Sequence, residues 1–165
     1  MTQKSEDTFD YHYTACGLTN VIIEGMPARQ DDAGDKVIEI PMINALHAML
    51  TMELATKESS LLPEELKFVR TEMGLTQAEL AERIKKDHQT IGRWERGENP
   101  VDPTAEVIVR LLVFEHLLEI GFLNPTEFNP DDRSVRSISE KCVQAANGKP
   151  IRVQLGQRGY ERVAA

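Results

Sequence analysis

Two groups of apolar residues recur at helical spacing within residues 76–97, and a short charged stretch separates them. Apolar side chains three or four positions apart lie on one side of a helix and pack against a common core. We therefore expect two short helices joined by a tight turn at residues 85–87. The inward positions of this helical hairpin are Leu80, Ala81, Ile84, Ile91 and Trp94. A side chain larger than that of Ala81 would hold the two helices apart.

The polar positions of the second predicted helix suggest what it contacts. Asp87 precedes this helix and can cap it by accepting a hydrogen bond from its first free N–H groups. The outward positions are His88, Gln89, Thr90 and Arg93. Such side chains can donate hydrogen bonds to base edges or accept hydrogen bonds from them. The second helix is therefore a candidate for reading DNA.

The helices that flank the hairpin differ in how much of their surface is apolar. A helix predicted over residues 64–73 has one apolar face and follows a linker, residues 57–63. A second helix, predicted from Pro103 to about residue 120, is apolar on almost every side. Such a helix must be buried on almost every side. One face can close the core of the hairpin. The other face is covered either by a second subunit or by the N- or C-terminal segments.

The N-terminal region is predicted to contain a small β-hairpin and a helix. Residues 1–12 are expected to be disordered. Strands are predicted over residues 18–24 and 36–40, because one is rich in β-branched residues and the other alternates, and a loop with Pro and Gly joins them. Apolar residues at helical spacing predict a helix over residues 44–57. These elements make up an N-terminal β/α module, residues 1–60.

The last part of the chain, residues 122–165, is predicted to be a C-terminal extension. Turn signals precede a modest helix, residues 135–146, and two short strands, residues 151–155 and 160–163. Residues 133–162 contain 7 Lys or Arg and 2 Asp or Glu. This tail either contacts DNA phosphates or packs on the N-terminal module. We favour the second interpretation, because strands need partners and the N-terminal hairpin has free edges.

These elements predict an α+β fold that is mainly α, with a central domain at residues 61–121. The chain has 165 residues, of which 41% are hydrophobic and 28% are charged, as in a soluble globular protein. It contains no apolar run of the roughly 20 residues that a membrane span needs, and its polar N-terminus does not resemble a signal peptide. Cys16 and Cys142 cannot form a disulfide framework. We expect a protein of the reducing cytoplasm with free thiols.

The net charge of -8 does not exclude a nucleic-acid partner, because the acidic residues are unevenly distributed. Residues 1–62 carry 4 Lys or Arg against 10 Asp or Glu, whereas residues 63–97 carry 7 against 7. Binding to DNA depends on the local field, and acidity elsewhere reduces non-specific binding. The acidic N-terminal region is therefore compatible with DNA recognition by the hairpin.

From about Glu65 to Gly97, the sequence resembles the helix-turn-helix of phage-repressor-like (Xre/Cro family) DNA-binding domains. The resemblance rests on Arg70, on the run Met73-Gly74-Leu75-Thr76-Gln77, on Ala81 and Ile91, and on Trp94-Glu95-Arg96-Gly97. It implies a five-helix type of DNA-binding domain in which Arg70 pairs with Glu95. Lys85 departs from the family, which often has Gly in a left-handed conformation there. Lysine can adopt that conformation at a cost of about 1 kcal/mol.

In a helix-turn-helix the second helix lies in the major groove, and this geometry assigns roles to the outward residues. Gln89 can pair with adenine and Arg93 with guanine, and His88 can contact a base or a phosphate. The residues predicted to contact the DNA backbone are Gln77, Lys85, Lys86 and Thr90. Since one domain contacts few bases, we expect a homodimer that reads a palindrome and acts as a repressor.

Residues 11–50 resemble the N-terminal region of MqsA-type (YgiT-like) antitoxins. The resemblance rests on Tyr11-His12-Tyr13, on Cys16 to Val21, on Ile40-Pro41 and on Leu46-His47. It implies, as an alternative function, an antitoxin that binds a protein toxin and represses its own operon.

Many members of the MqsA-type family hold zinc with paired CxxC motifs, which this chain lacks. Cys16 has only His12 and His47 as plausible companions, so we expect no metal and no cofactor. No catalytic motif is present, and Cys16 with His12 is the only conceivable nucleophile and base. We therefore expect that the protein is not an enzyme.

Overall fold

The computed structural model describes residues 7–124, 126 and 134–164, and these residues fold into two compact units. The first unit comprises the described residues up to Leu46 together with those from Pro150 onward, and the second comprises those from His47 to Lys149. The predicted N-terminal module runs to residue 60, whereas the first unit ends inside a helix and includes C-terminal strands. Among the described residues, no helix is both long enough and apolar enough to cross a membrane.

The first unit is built on a four-stranded sheet in the order β1-β2-β5-β6. Its strands are β1 (Thr8–His12), β2 (Val21–Pro27), β5 (Ile151–Gly156) and β6 (Gly159–Arg162). β2 pairs antiparallel with β1 and parallel with β5, and β5 pairs antiparallel with β6. Val21, Ile23 and Val153 are fully buried on this sheet. The C-terminal strands thus pair with the N-terminal region through backbone hydrogen bonds.

The predicted pairing of residues 18–24 with residues 36–40 is wrong. Only Lys36–Val37 forms a strand there (β4), and it pairs with Arg29–Gln30 (β3) in a separate two-stranded sheet. Val37 and Ile38 remain 42% and 43% exposed. β2 carries buried residues and is central, so it takes partners on both sides. A central position in a sheet is set by pairings distant in the sequence, which a local pattern does not show.

Residues 1–12 were expected to be disordered, and this prediction is wrong for residues 8–12, which form β1. Residues 1–6 lie outside the described range. β1 alternates exposed and half-buried positions, as an edge strand with one solvated face does. Phe9 and Tyr11 occupy the half-buried positions, with ring centroids 6.4 Å apart. Such a strand is polar enough to resemble an unstructured tail in the sequence.

The second unit is helical, and the helices lie close to their predicted positions. They are α1 (Ile43–Ala55), which starts in the first unit, α2 (Pro63–Glu72), α3 (Gln77–Ile84), α4 (His88–Glu95), α5 (Pro103–Glu119) and α6 (Val135–Cys142). Pro63 stands in the first turn of α2, where its missing N–H costs nothing. The predicted fold class, α+β and mainly α, is confirmed.

A buried ion pair on α5 fixes the segment that leads into α2. Arg110 and Glu106 are fully buried and bound to each other at 2.6 Å. Arg110 also donates to the carbonyls of Lys57 and Ser59, while Glu106 accepts from the Leu61 N–H at 3.0 Å. Since the charges and the backbone groups satisfy one another, this polar network can exist in the core. Residues 57–62 are therefore held against α5 rather than acting as a loose linker.

The helix α5 is less completely covered than its sequence predicts. Its buried apolar side chains are Ala105, Val107, Val109, Val113, Phe114 and Leu117. Ile108 is 36% exposed, and Leu111, Leu112 and Leu118 are half-buried. α6 packs against α5 and buries Ile138 and Cys142. Burial raises the pKa of the Cys142 thiol to about 12.

Candidate nucleic-acid interface

The turn between α3 and α4 is three residues long, from Lys85 to Asp87. Lys85 adopts the left-handed conformation, with φ 58° and ψ 44°. The Lys86 N–H then donates to the Ala81 carbonyl at 2.9 Å, which closes the end of α3. This is the left-handed ending at which glycine is usual, and a lysine there costs about 1 kcal/mol. The chain changes direction within these three residues, and α4 begins directly after Asp87.

Side-chain caps define where both helices of the hairpin begin. The Thr76 hydroxyl accepts from the Glu79 N–H at 3.2 Å, and Glu79 accepts from the Thr76 N–H at 2.7 Å, forming a capping box. The Thr76 N–H, followed by the Thr76 hydroxyl, lowers the pKa of Glu79. Asp87 accepts from the Gln89 N–H at 2.7 Å and caps α4. Both helix starts are therefore anchored by short-range hydrogen bonds.

A buried ion pair ties α2 to the end of α4. Arg70 donates two hydrogen bonds to Glu95, at 2.5 and 3.0 Å, and a third to the Leu75 carbonyl at 2.7 Å. The Glu95 side chain is only 3% exposed and also accepts from the Gln77 amide at 2.8 Å. A carboxylate held by donors from α2 and α3 cannot move without leaving a charge unpaired. The pair that the Xre/Cro resemblance implies is thus present, and it fixes the position of α4.

The apolar residues of the hairpin lie on the side of the helices opposite to the solvent. Ala81 is 2%, Ile91 0% and Trp94 5% exposed. Gly92 is also buried, and a Cβ at this position would lie 3.4 Å from Gln77 Oε1 and 3.0 Å from Arg96 Nη1. A side chain at residue 92 would therefore displace the end of the Arg96 side chain and lie in contact with the Gln77 amide.

The opposite side of α4 is polar and open to solvent. His88, Gln89 and Arg93 are exposed, and Thr90 is half-buried. His88 and Gln89 are in the first turn of the helix, and Arg93 follows Gln89 one turn later on the same side. The structure thus brings the predicted base-reading residues onto one exposed helix face.

The residues predicted to contact the DNA backbone have differing surroundings. Lys85 is exposed at the turn. Lys86 forms an ion pair with Asp102, at 2.8 Å, and this hydrogen bond lowers the pKa of Asp102. The Gln77 side chain is bound to Glu95. The group of Gln77 that can donate to a phosphate is therefore its backbone N–H, which lies in the first turn of α3 and has no acceptor within the helix.

Sequence reasoning missed the partners of Lys86 and Gln77. Asp102 precedes Pro103 and accepts from the Thr104 N–H, so its role as a cap could have been predicted from the sequence. Its second role, as an ion-pair partner of Lys86, depends on how α5 lies against the hairpin. No spacing rule covers that contact.

The basic C-terminal tail places one of its cations within the first unit. Arg152 donates to Glu24 at 2.7 Å and lies 3.6 Å from Asp10. The hydrogen bond to Glu24 raises the pKa of Arg152. At this position the positive charge of the tail is therefore compensated by acidic residues of neighbouring strands.

From the sequence, His12 and Cys16 are conceivable metal ligands and a conceivable catalytic pair. His12 Nε2 lies 2.6 Å from the Thr19 carbonyl oxygen, to which it can only donate. Cys16 is half-buried. No group of three or more His, Cys, Asp and Glu residues capable of holding a metal ion occurs within the described ranges.

Comparison with known proteins agrees with this geometry over one part of the chain. Residues 66–114, from the middle of α2 to α5, match the family described as "Helix-turn-helix". No curated protein and no solved structure matches the chain. The matched segment contains the hairpin, its caps and the Arg70–Glu95 pair, and it supports a DNA-binding regulator. No match covers residues 11–50, so their resemblance to MqsA-type antitoxins stays a prediction.

Proposed function

We propose that the protein is a sequence-specific transcriptional regulator that places α4 in the major groove of DNA and acts as a dimeric repressor. The observation that carries this proposal is the exposed polar face of α4, formed by His88, Gln89 and Arg93 on a helix whose other side is locked in place. A helix of this kind presents its N-terminal residues to base edges, while the preceding helix crosses the backbone.

Each outward side chain is suited to a particular contact. Gln89 can donate to and accept from adenine in a bidentate pair, and Arg93 can donate twice to guanine. His88, at the start of α4, can reach a base or a phosphate. Bidentate pairs of this kind discriminate against the wrong base by about 1–3 kcal/mol each. Gln89 and Arg93 are therefore the residues proposed to determine the sequence preference.

Contacts to phosphates are proposed around the same face. The free N–H groups at the start of α3, beginning with Gln77, suit a phosphate oxygen. Lys85 and Thr90 flank the base-reading residues along the turn and the first turn of α4. Lys86 can contribute only if its ammonium group serves a phosphate as well as Asp102, or exchanges one for the other. Such contacts set the position of the protein on DNA and carry no sequence information themselves.

Dimerisation is proposed to use the uncovered face of α5. Ile108, Leu111, Leu112 and Leu118 line a shallow apolar groove of about 370 Å³. A second copy of this face would bury these side chains symmetrically, since a two-fold interface uses the same patch on both subunits. Two α4 helices would then read two half-sites about one helical turn of DNA apart.

Selection of binding sites from random duplex DNA with the purified protein tests this proposal. We expect enrichment of a palindrome with half-sites spaced by about one helical turn, roughly 10 base pairs. A salt titration on the selected site then gives the number of phosphate contacts from the slope of log K against log salt. Recovery of no enriched sequence would contradict sequence-specific recognition, and enrichment of a single half-site would contradict the dimer.

An antitoxin is the second candidate function, favoured by an apolar surface on the first unit. Val37, Ile38, Met42 and Ile43 are each at least 38% exposed. Protein-binding sites expose contiguous apolar side chains, and these four lie within seven residues of one another in the sequence. The gene neighbourhood discriminates the two functions: a small toxin-like reading frame beside the gene would support an antitoxin, and a lone gene would weaken the idea.

A further inference from the structure

The first unit contains a cavity of about 500 Å³ that the DNA-binding proposal does not use. We propose that this cavity binds a small organic cation with an apolar body, such as an arylalkylamine. Its volume is within the range of about 300–1,000 Å³ that small-molecule sites occupy. The inference does not rest on the proposed function, because every residue of the cavity belongs to the first unit and none belongs to the matched helix-turn-helix segment.

A bulge in the central strand β2 lies in the wall of the cavity. Phe9 pairs with Met26 and Tyr11 pairs with Ile23, so Asp10 alone faces Glu24 and Gly25. Gly25 has a φ of +68°, in the left-handed region that favours glycine. In a regular strand, consecutive side chains point to opposite faces of the sheet. Here four consecutive residues, 24–27, all line the cavity. Bulges commonly re-aim side chains in this way beside binding sites.

One part of the cavity wall is apolar, and the rest is formed by charged and amide side chains. Met26 is 3% exposed, and Leu155 on β5 leaves 46% of its surface uncovered. Pro27 and Pro41 contribute rigid apolar walls. The Tyr160 hydroxyl donates to the Pro41 carbonyl at 3.0 Å, which holds the segment around Pro41 against the sheet. An apolar ligand body would therefore meet a preformed surface.

The polar groups of the cavity favour a positive charge on the ligand. Glu24 and Glu39 line it together with Arg29, so carboxylates outnumber guanidinium groups in the wall. Glu24 is bound to Arg152 at 2.7 Å, which leaves Glu39 as the carboxylate that a ligand can engage. Glu39 is bound to Arg29 at 2.9 Å, but the two side chains are 66% and 64% exposed. An ion pair this exposed contributes little to stability, so a ligand ammonium group can replace the guanidinium at Glu39. Residues 24–42 carry five acidic and two basic side chains, which attracts cations and repels anions.

Three probes with one phenyl body and different charges test the proposal on the full-length protein. They are 2-phenylethylamine, 2-phenylethanol and 3-phenylpropionate, each titrated while the amide signals of Gly25 and Leu155 are followed by NMR. We expect saturable shifts at these residues with the amine, weaker binding of the alcohol and no saturation with the carboxylate. Equal binding of the carboxylate, shifts centred elsewhere, or no saturation by any probe would overturn the proposal.

A pair of matched variants separates contact from general attraction. Glu39→Gln removes a carboxylate that lines the cavity, and we expect it to weaken amine binding about three- to fivefold, the loss of one exposed charge pair. Asp32→Asn removes the same charge from an exposed position of the same segment that does not line the cavity. We expect it to change the affinity less than twofold. Equal losses in the two variants would show non-specific attraction and overturn the site.

Discussion

The helices α4 and α5 are alike on their buried sides and different on their open sides. Ile91 and Trp94 of α4 and Val109 and Val113 of α5 all enter the same kind of apolar core. On its open side α4 presents hydrogen-bonding and cationic groups, whereas α5 presents mainly aliphatic side chains beside Glu115. The buried sides therefore explain the fold, and the open sides are the surfaces on which the proposed contacts with DNA and a second subunit rest.

The difference matches the two roles that we propose for this domain, recognition of DNA and contact with a second subunit. Recognition of base edges requires donors and acceptors in fixed positions. The Arg70–Glu95 pair and the Asp87 cap fix the position of α4, which carries those groups. The proposed contact with an identical subunit requires a complementary apolar surface, which α5 offers in its aliphatic side chains, with Glu115 at the same groove. We expect substitutions on the two helices to have separable effects on DNA recognition and on assembly.

The largest effect is expected from Glu95→Ala, which disrupts the buried side of α4. It leaves Arg70 and the Gln77 amide without their carboxylate, and losing one partner of a buried ion pair costs about 3–5 kcal/mol. Urea denaturation followed by circular dichroism measures the change in the free energy of unfolding. Glu98→Ala is the control, because Glu98 forms an exposed pair with Arg96. Unchanged unfolding of Glu95→Ala would contradict the role assigned to the pair.

Leu112→Glu tests the open side of α5. A carboxylate buried in an apolar interface loses its hydration, so we expect the dimer dissociation constant to rise on the order of a hundredfold. Size-exclusion chromatography with light scattering measures the mass at several concentrations. Gln144→Glu adds the same charge at an exposed position of the same unit and should leave the mass unchanged. A Leu112→Glu protein with wild-type dimerisation would rule out α5 as the interface.

Lys85→Gly examines the turn that places α4. Glycine adopts the left-handed conformation of residue 85 without the steric cost that lysine has, so we expect a stability gain of about 1 kcal/mol. The midpoint of urea unfolding measures it. A loss of stability would mean that the lysine side chain contributes more than its backbone strain costs. Loss of DNA affinity at unchanged stability would indicate the proposed phosphate contact.

The smallest effect is expected from Asp102, the cap of α5, on the pH dependence of the free energy of unfolding. The hydrogen bond from Lys86 and the N–H groups of Thr104 and Ala105 lower the pKa of Asp102 in the folded protein. A lowered pKa contributes stability above the unfolded value, near 3.8, and this contribution is lost as the pH falls through the lower folded value. Asp102→Asn should therefore flatten the acid side of the stability profile slightly. An identical acid limb in the two proteins would contradict the contribution of Asp102.

Local signals were sufficient to predict the helix-turn-helix from the sequence. The spacing of Leu80, Ala81 and Ile84 and the caps Thr76 and Asp87 act within one or two turns, so they are visible in a short window. The Arg70–Glu95 pair followed from the family resemblance. By contrast, β2 has a parallel partner, β5, at the far end of the chain, and β1 carries an edge-strand pattern that is mostly polar. The ion pair between Lys86 and Asp102 could not be predicted either, because it depends on how α5 packs against the hairpin.

The central claim is that Arg93 on the open side of α4 reads a base. The most direct test measures the affinity of wild type and Arg93→Ala for the selected operator and for a scrambled duplex at one salt concentration. Arg136→Ala, whose side chain is 90% exposed on α6, controls for the loss of one positive charge. We predict that Arg93→Ala weakens operator binding by about 1–3 kcal/mol and relaxes the preference at one base position. A wild-type ratio between operator and scrambled affinities in Arg93→Ala would contradict the claim.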